Sequence, residues 1–147
     1  MTLSPHFTFE ELTLTTHRGL LEQNQDEARG RMDALRSLCS TLLEPLRAHF
    51  AAPVIVHSGF RCAALNAAIG GSPSSQHMLG EAADLHVNGV AHEDVWEWIW
   101  RESGLPFGQC LLEGHVRGVP SWVHLSLGEP WRPTRKNRQH FVLTAAA

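Results

Sequence analysis

Two histidines and an aspartate stand out by type and spacing. His77 and Asp84 lie seven positions apart in Ser75-Gln76-His77-Met78-Leu79-Gly80-Glu81-Ala82-Ala83-Asp84, with Gly80 between them. His124 follows forty residues after Asp84, in Trp122-Val123-His124-Leu125-Ser126. Two imidazoles and one carboxylate are a common ligand set for a catalytic zinc, with the fourth position left to water. The three cysteines, Cys39, Cys62 and Cys110, offer no competing site. They are odd in number and widely spaced, without a C-x-x-C pair, and each sits in an apolar stretch. They read as buried free thiols in a chain made in a reducing compartment.

The elements around these residues decide whether they can meet. Residues 82–87 read as a strand in which Ala83, Leu85 and Val87 take one face and Ala82, Asp84 and His86 the other. Residues 109–113 and 122–127 read as two more strands joined by a Gly-rich loop. Cys110 and Leu112 oppose Gln109, Leu111 and Glu113; Val123, Leu125 and Leu127 oppose Trp122, His124 and Ser126. Alternation in three strands therefore brings Asp84, Glu113 and His124 out on one face of one sheet, while the apolar faces meet the helices. The loop Ser72-Pro73-Ser74-Ser75 delivers His77.

The helices follow from period and caps. Thr8 with Glu11 forms a capping box that starts a short helix near Phe9. Residues 14–25 are polar and irregular and read as a surface loop. From about Asp26 to Phe50, the series Met32, Leu35, Leu38, Cys39, Leu42, Leu43, Leu46 and Phe50 makes one apolar stripe, and Pro45 predicts a kink near Leu42. Residues 53–57 are a β-branched, buried strand, and Ser58-Gly59-Phe60-Arg61 turns out of it. An Ala-rich helix over 62–69 stops at Gly70-Gly71. A Trp-rich helix over 91–103 reads as core rather than as a sugar platform. The tail from Trp131 to His140 carries Arg132, Arg135, Lys136 and Arg138 and reads as a solvated surface.

At 147 residues the chain reads as one domain, 1–147. A chain of this size buries about 70% of its unfolded surface, so a metal here serves function rather than folding. A net charge of −3, without a large basic block, argues against tight nucleic-acid binding. No basic leader with an apolar run opens the sequence and no transmembrane segment appears, so synthesis without a signal peptide and no membrane insertion are expected. The fold class expected is α+β: a small antiparallel sheet with helices packed mainly on one face.

S-x-H-x6-D followed by a strand bearing W-V-H resembles the zinc D-alanyl-D-alanine carboxypeptidases and phage L-alanyl-D-glutamate endopeptidases. These are the LAS metallopeptidases, which share a fold with the hedgehog signalling domain. The resemblance extends to Phe7-Thr8-Phe9-Glu10-Glu11-Leu12, to Ser58-Gly59-Phe60-Arg61, to Ala64-Leu65-Asn66, to Gly70-Gly71-Ser72 and on through Asp84. Residues 137–145 resemble the closing segment of phage-borne members. The resemblance implies zinc held by His77, Asp84 and His124, a substrate carboxylate or carbonyl held by Arg61, and a substrate contact from Ser75. It implies hydrolysis of a peptide bond in the peptidoglycan stem, by a phage or prophage endolysin acting on the wall or in the periplasm after release.

The pattern departs from the family at two places. Where several branches carry an acidic residue three positions before the last histidine, this chain has Ser121, which cannot act as a general base at neutral pH. Glu113 stands where phage-type relatives carry a Glu at the end of the preceding strand, and is the expected base, with His115 as the competitor. Gly108 replaces an acidic residue common before Gln109 in such relatives. Each role has a plainer counterpart: a strand-end carboxylate for Glu113, a structural ion pair for Arg61, a turn hydroxyl for Ser75. His86 reads as a neighbour of the site rather than a ligand. The alternative to an enzyme is a zinc-containing, catalytically inactive peptidoglycan-binding module. Carboxypeptidase against endopeptidase, and the oligomeric state, stay open.

Overall fold

The computed structural model describes residues 1–131, 133 and 136–143, so the readings made on Arg132, Arg135 and residues 144–147 lie outside the described residues. A five-stranded sheet runs in the order β3 (Val54–Ser58), β4 (Ala82–Val87), β6 (Trp122–Leu127), β5 (Phe107–Glu113), β7 (Gln139–Val142). The three pairings from β3 through β5 are antiparallel, as expected, but β7 adds to β5 in parallel. A two-stranded ribbon, β1 (Thr2–Ser4) with β2 (Phe7–Thr8), opens the chain.

One face of the sheet is packed and the other opens as a cleft. Ala83, Leu85, Val87, Cys110, Leu112, Val123, Leu125 and Leu127 join the core with Leu35, Leu38, Leu42 and Leu46 from one helical run and Val95 and Ile99 from another. Truncating a leucine such as Leu85 or Leu125, each fully buried, would cost about 2–5 kcal/mol. All three cysteines are buried free thiols. Burial pushes the Cys39 thiol up to about 12.

The helices are more segmented than the apolar stripe suggests. After α1 (Phe9–Leu12) comes α2 (Leu21–Ala28), so part of the stretch read as a loop is helical. Its polar composition hid a buried anchor. Asn24 Nδ2 donates to the carbonyls of Thr13 (2.9 Å) and Phe60 (3.1 Å), and its Oδ1 accepts from the Cys62 amide at 2.7 Å. One satisfied amide thereby ties α2 to α1 and to the turn after β3. The main run is α3 (Met32–Leu38), a π-turn over Cys39–Leu43 and α4 (Glu44–Phe50), with Pro45 in the first turn of α4. The Glu44 amide reaches back five residues to Cys39. The wider turn lies just where a proline ring would press on the carbonyl four residues earlier. The Trp-rich helix is α6 (His92–Glu97) closed by a second π-turn, Trp98–Glu102.

β7 was not foreseen. Its four residues are exposed, and the first two, Gln139 and His140, fall in the stretch read as a basic tail, so no apolar alternation marked them. What makes it a strand is pairing: Gln109, Cys110, Leu111 and Leu112 of β5 meet Gln139, His140, Phe141 and Val142 in order. Among the described residues, no helix is long and apolar enough to cross a membrane.

Candidate metal centre

Asp84 and His124 are direct cross-strand partners in the centre of the sheet, on the face away from the helices. His77 comes from a 3₁₀ turn, Gln76–Leu79, that follows α5 (Ala63–Ala68) and its loop. Ser75 caps that turn, its hydroxyl accepting from the His77 amide at 3.2 Å. Gly80, at φ +72°, ends the turn and lets the chain enter β4. Sequence distance is thus converted into contact by one turn and one strand pairing.

The three ligand atoms lie within 4.8 Å of one another. All three side chains are buried. His77 Nε2 is 3.3 Å from Asp84 Oδ1, and His124 Nδ1 is 2.9 Å from the same oxygen. Burial works against the Asp84 charge, but the His77 charge and the hydrogen bond from His124 outweigh it and hold the carboxyl well below the usual range.

The donor set fits zinc, and His77 supplies the test. Its Nδ1 is 2.7 Å from the Gly59 carbonyl, which can only accept, so Nδ1 carries the hydrogen. Nε2 is then the nitrogen free for a ligand role: it faces a carboxylate oxygen, is buried, and has no hydrogen-bond partner. An imidazole nitrogen and a carboxylate oxygen facing each other in a buried site call for a cation between them, a proton on Nε2 or a metal ion in its place. The carbonyl that fixes the ring depends on a close backbone approach: a Cβ on Gly59 would stand 2.3 Å from the Leu12 carbonyl oxygen.

The site floors a cleft of about 770 Å³ lined in part by Arg61, Ser75, Gln76, Gln109, Glu113, Trp122 and Lys136. Glu113 ends β5 opposite Trp122, whose indole N–H donates to Glu113 Oε1 at 3.0 Å. Leu111 is the partner of His124, so Glu113 lies one diagonal step away on the same face. Arg61 Nη1 donates to Asn66 Oδ1 at 3.2 Å, and its Nε is buried without a partner. Burial disfavours the Arg61 charge, while Asp84 and Glu113 support it. Gly71 leaves room for this arrangement, since a Cβ there would meet Asn66 Oδ1 at 2.1 Å and Arg61 Nη1 at 2.8 Å.

The cleft gathers His77, Asp84, His124, Arg61, Ser75 and Glu113. His115 is turned elsewhere, its Nδ1 donating to the Leu143 carbonyl at 3.0 Å. Ser121 closes the base of the hairpin, its amide on the Glu113 carbonyl at 2.9 Å and its hydroxyl on the Gly114 carbonyl. The residues not foreseen in the lining are Gln76, Gln109, Trp122, Lys136 and His57. Alternation had put Trp122 and Gln109 on the right face, and that signal could have found them. Lys136 arrives only through the chain's return alongside β5, which no local pattern announces.

Compared with known proteins, residues 5–126 match the family model described as Peptidase M15. Among curated proteins no match is found.

Proposed function

The chain belongs to the peptidase M15 family of zinc metallopeptidases, and from that premise we propose that it hydrolyses a peptide bond in the peptidoglycan stem. The observation that carries the reading is the convergence of His77, Asp84 and His124 at the floor of a cleft that also holds a carboxylate, Glu113, and a guanidinium, Arg61. When bound, zinc supplies Lewis-acid polarisation of a carbonyl and acidifies water. His77, Asp84 and His124 would hold it.

The remaining work falls to side chains. Glu113 takes a proton from the attacking water and passes it to the leaving amine, as a general base and then acid. The Trp122 indole engages Oε1 and so fixes the carboxylate while Oε2 stays available for the proton. Arg61 pairs with a carboxylate of the stem peptide, for which its planar fork is suited. The Ser75 hydroxyl already caps the His77 turn; it contacts substrate through its remaining hydrogen-bonding capacity. The substrate is the D-alanyl-D-alanine terminus or the L-alanyl-D-glutamate bond, and the setting an endolysin of phage or prophage type acting on the wall or in the periplasm.

Mass spectrometry of the products released from purified peptidoglycan tests this. Release of D-alanine identifies a carboxypeptidase, and a new amino terminus on D-glutamate identifies an endopeptidase. Intact peptidoglycan after incubation with zinc-loaded protein overturns hydrolysis and leaves a zinc-containing binding module.

A further inference from the structure

The zinc ligands use two of ten histidines. Three others form a row that begins at the cleft rim. His57 Nε2 and His86 Nδ1 face each other at 2.6 Å. Behind His86 stands His92, with ring centroids 6.1 Å apart, and its Nδ1 is buried without a hydrogen-bond partner.

The backbone explains why His57 meets His86. On β3, Val56 pairs with Leu85 and Ser58 with Asp84, so β3 advances two residues where β4 advances one. His57 is the extra residue of a β-bulge. Bulges re-aim a side chain and recur beside active sites. Here Val56 stays in the core while His57 is exposed and lines the cleft. β3 is the edge strand of the sheet, so this rim is open from the side.

We propose that His57 and His86 form a second cation site at the cleft rim, which takes a divalent ion of the imidazole-preferring class, Zn²⁺, Cu²⁺ or Ni²⁺. Two nitrogens about 2.0–2.1 Å from a tetrahedral ion stand roughly 3.3 Å apart, so the pair opens by less than about 1 Å to admit one. One of the two rings is exposed and the other half-buried, which leaves that movement free of core strain. The site has two neutral ligands and no carboxylate, so it binds more weakly than His77, Asp84 and His124. It lies about 7 Å from the first, because His86 is two residues along β4 from Asp84 at about 3.3 Å per residue. An ion there narrows the mouth of the cleft on the β3 side.

The test needs zinc alone and does not depend on peptidase activity, so its failure is distinct from failure of the catalytic reading. Metal-free protein is dialysed against graded zinc and the bound metal measured by elemental analysis, with far-UV circular dichroism as the fold control. The parent should bind two equivalents, the second at least tenfold more weakly. His57→Ala, His57→Gln and His86→Ala should each bind only the tight equivalent. His77→Ala should lose the tight equivalent and keep the weak one. Saturation of the parent at one equivalent overturns the proposal. So does a second equivalent that persists in both His57→Ala and His57→Gln, since the ion then sits elsewhere.

Discussion

The two walls of the cleft are built differently. The wall of β4, β6 and the 3₁₀ turn buries every ligand, orients His77 through the Gly59 carbonyl and hides its supporting backbone in the core. The wall made by the hairpin after β5 and by β7 is exposed. Val116, Val119, Phe141, Val142 and Leu143 all show large apolar surface, and backbone hydrogen bonds hold the hairpin together. A metal site requires ligand positions within tenths of an ångström, which only packing supplies. A wall that meets a substrate can tolerate looser construction.

The largest effects should come from the buried wall. His77→Ala or His124→Ala should lose zinc and reduce activity to background, while circular dichroism shows the fold retained, because a core of this size does not rest on the ion. Unchanged zinc content in both variants would remove them from the site. Protons should compete with zinc as well. Both imidazoles must be unprotonated to bind, so affinity should fall as pH is lowered, by up to about tenfold per unit for each ring. Asp84 adds no slope there, because its carboxyl is held well below the usual range. Constant affinity between about pH 7 and pH 5 would contradict imidazole ligation.

At the join between the walls, Glu113→Gln should keep zinc and lose on the order of 10²-fold in rate, with His115→Ala close to the parent. The reverse result would move the base to His115. Arg61→Lys keeps the charge but loses the fork; it should lower turnover by roughly tenfold with zinc content intact. Activity equal to the parent in both Arg61→Lys and Arg61→Ala would take Arg61 out of substrate binding.

The same contrast governs what the sequence could reveal. Period-two alternation placed Asp84, Glu113 and His124 on one face, because each strand packs its other face against helices and the apolar pattern records it. The cap at Thr8 was legible because Thr8 Oγ1 accepts from the Glu11 amide at 3.2 Å, an entirely local bond. Helix α2 was not, because its anchor Asn24 bonds residues 11, 36 and 38 positions away. Nor was β7, whose exposed residues carry no alternation and whose strand character exists only through β5. The bulge at His57 depends on register between two strands and has no single-strand signature.

The smallest expected effect lies at the tip of the exposed wall. Val116 and Val119 exchange two backbone hydrogen bonds, at 2.9 and 3.0 Å, around Arg117 and Gly118. Both central residues have positive φ, +52° for Arg117 and +79° for Gly118, as in a type I′ turn. Glycine takes this conformation freely, but a side chain such as arginine costs about 1–2 kcal/mol in the left-handed region, and asparagine relieves part of that. Arg117→Asn should therefore stabilise the protein by roughly 0.5–1 kcal/mol, which at this chain length raises Tm by about 2–4 °C at most. Thermal unfolding of the two proteins measures it. Activity on peptidoglycan should stay within about twofold, the change to expect of an exposed substitution away from the reacting groups. A more stable variant with sharply reduced activity would show that the Arg117 side chain reaches substrate. The exposed wall would then be a recognition surface as well as a boundary of the cleft.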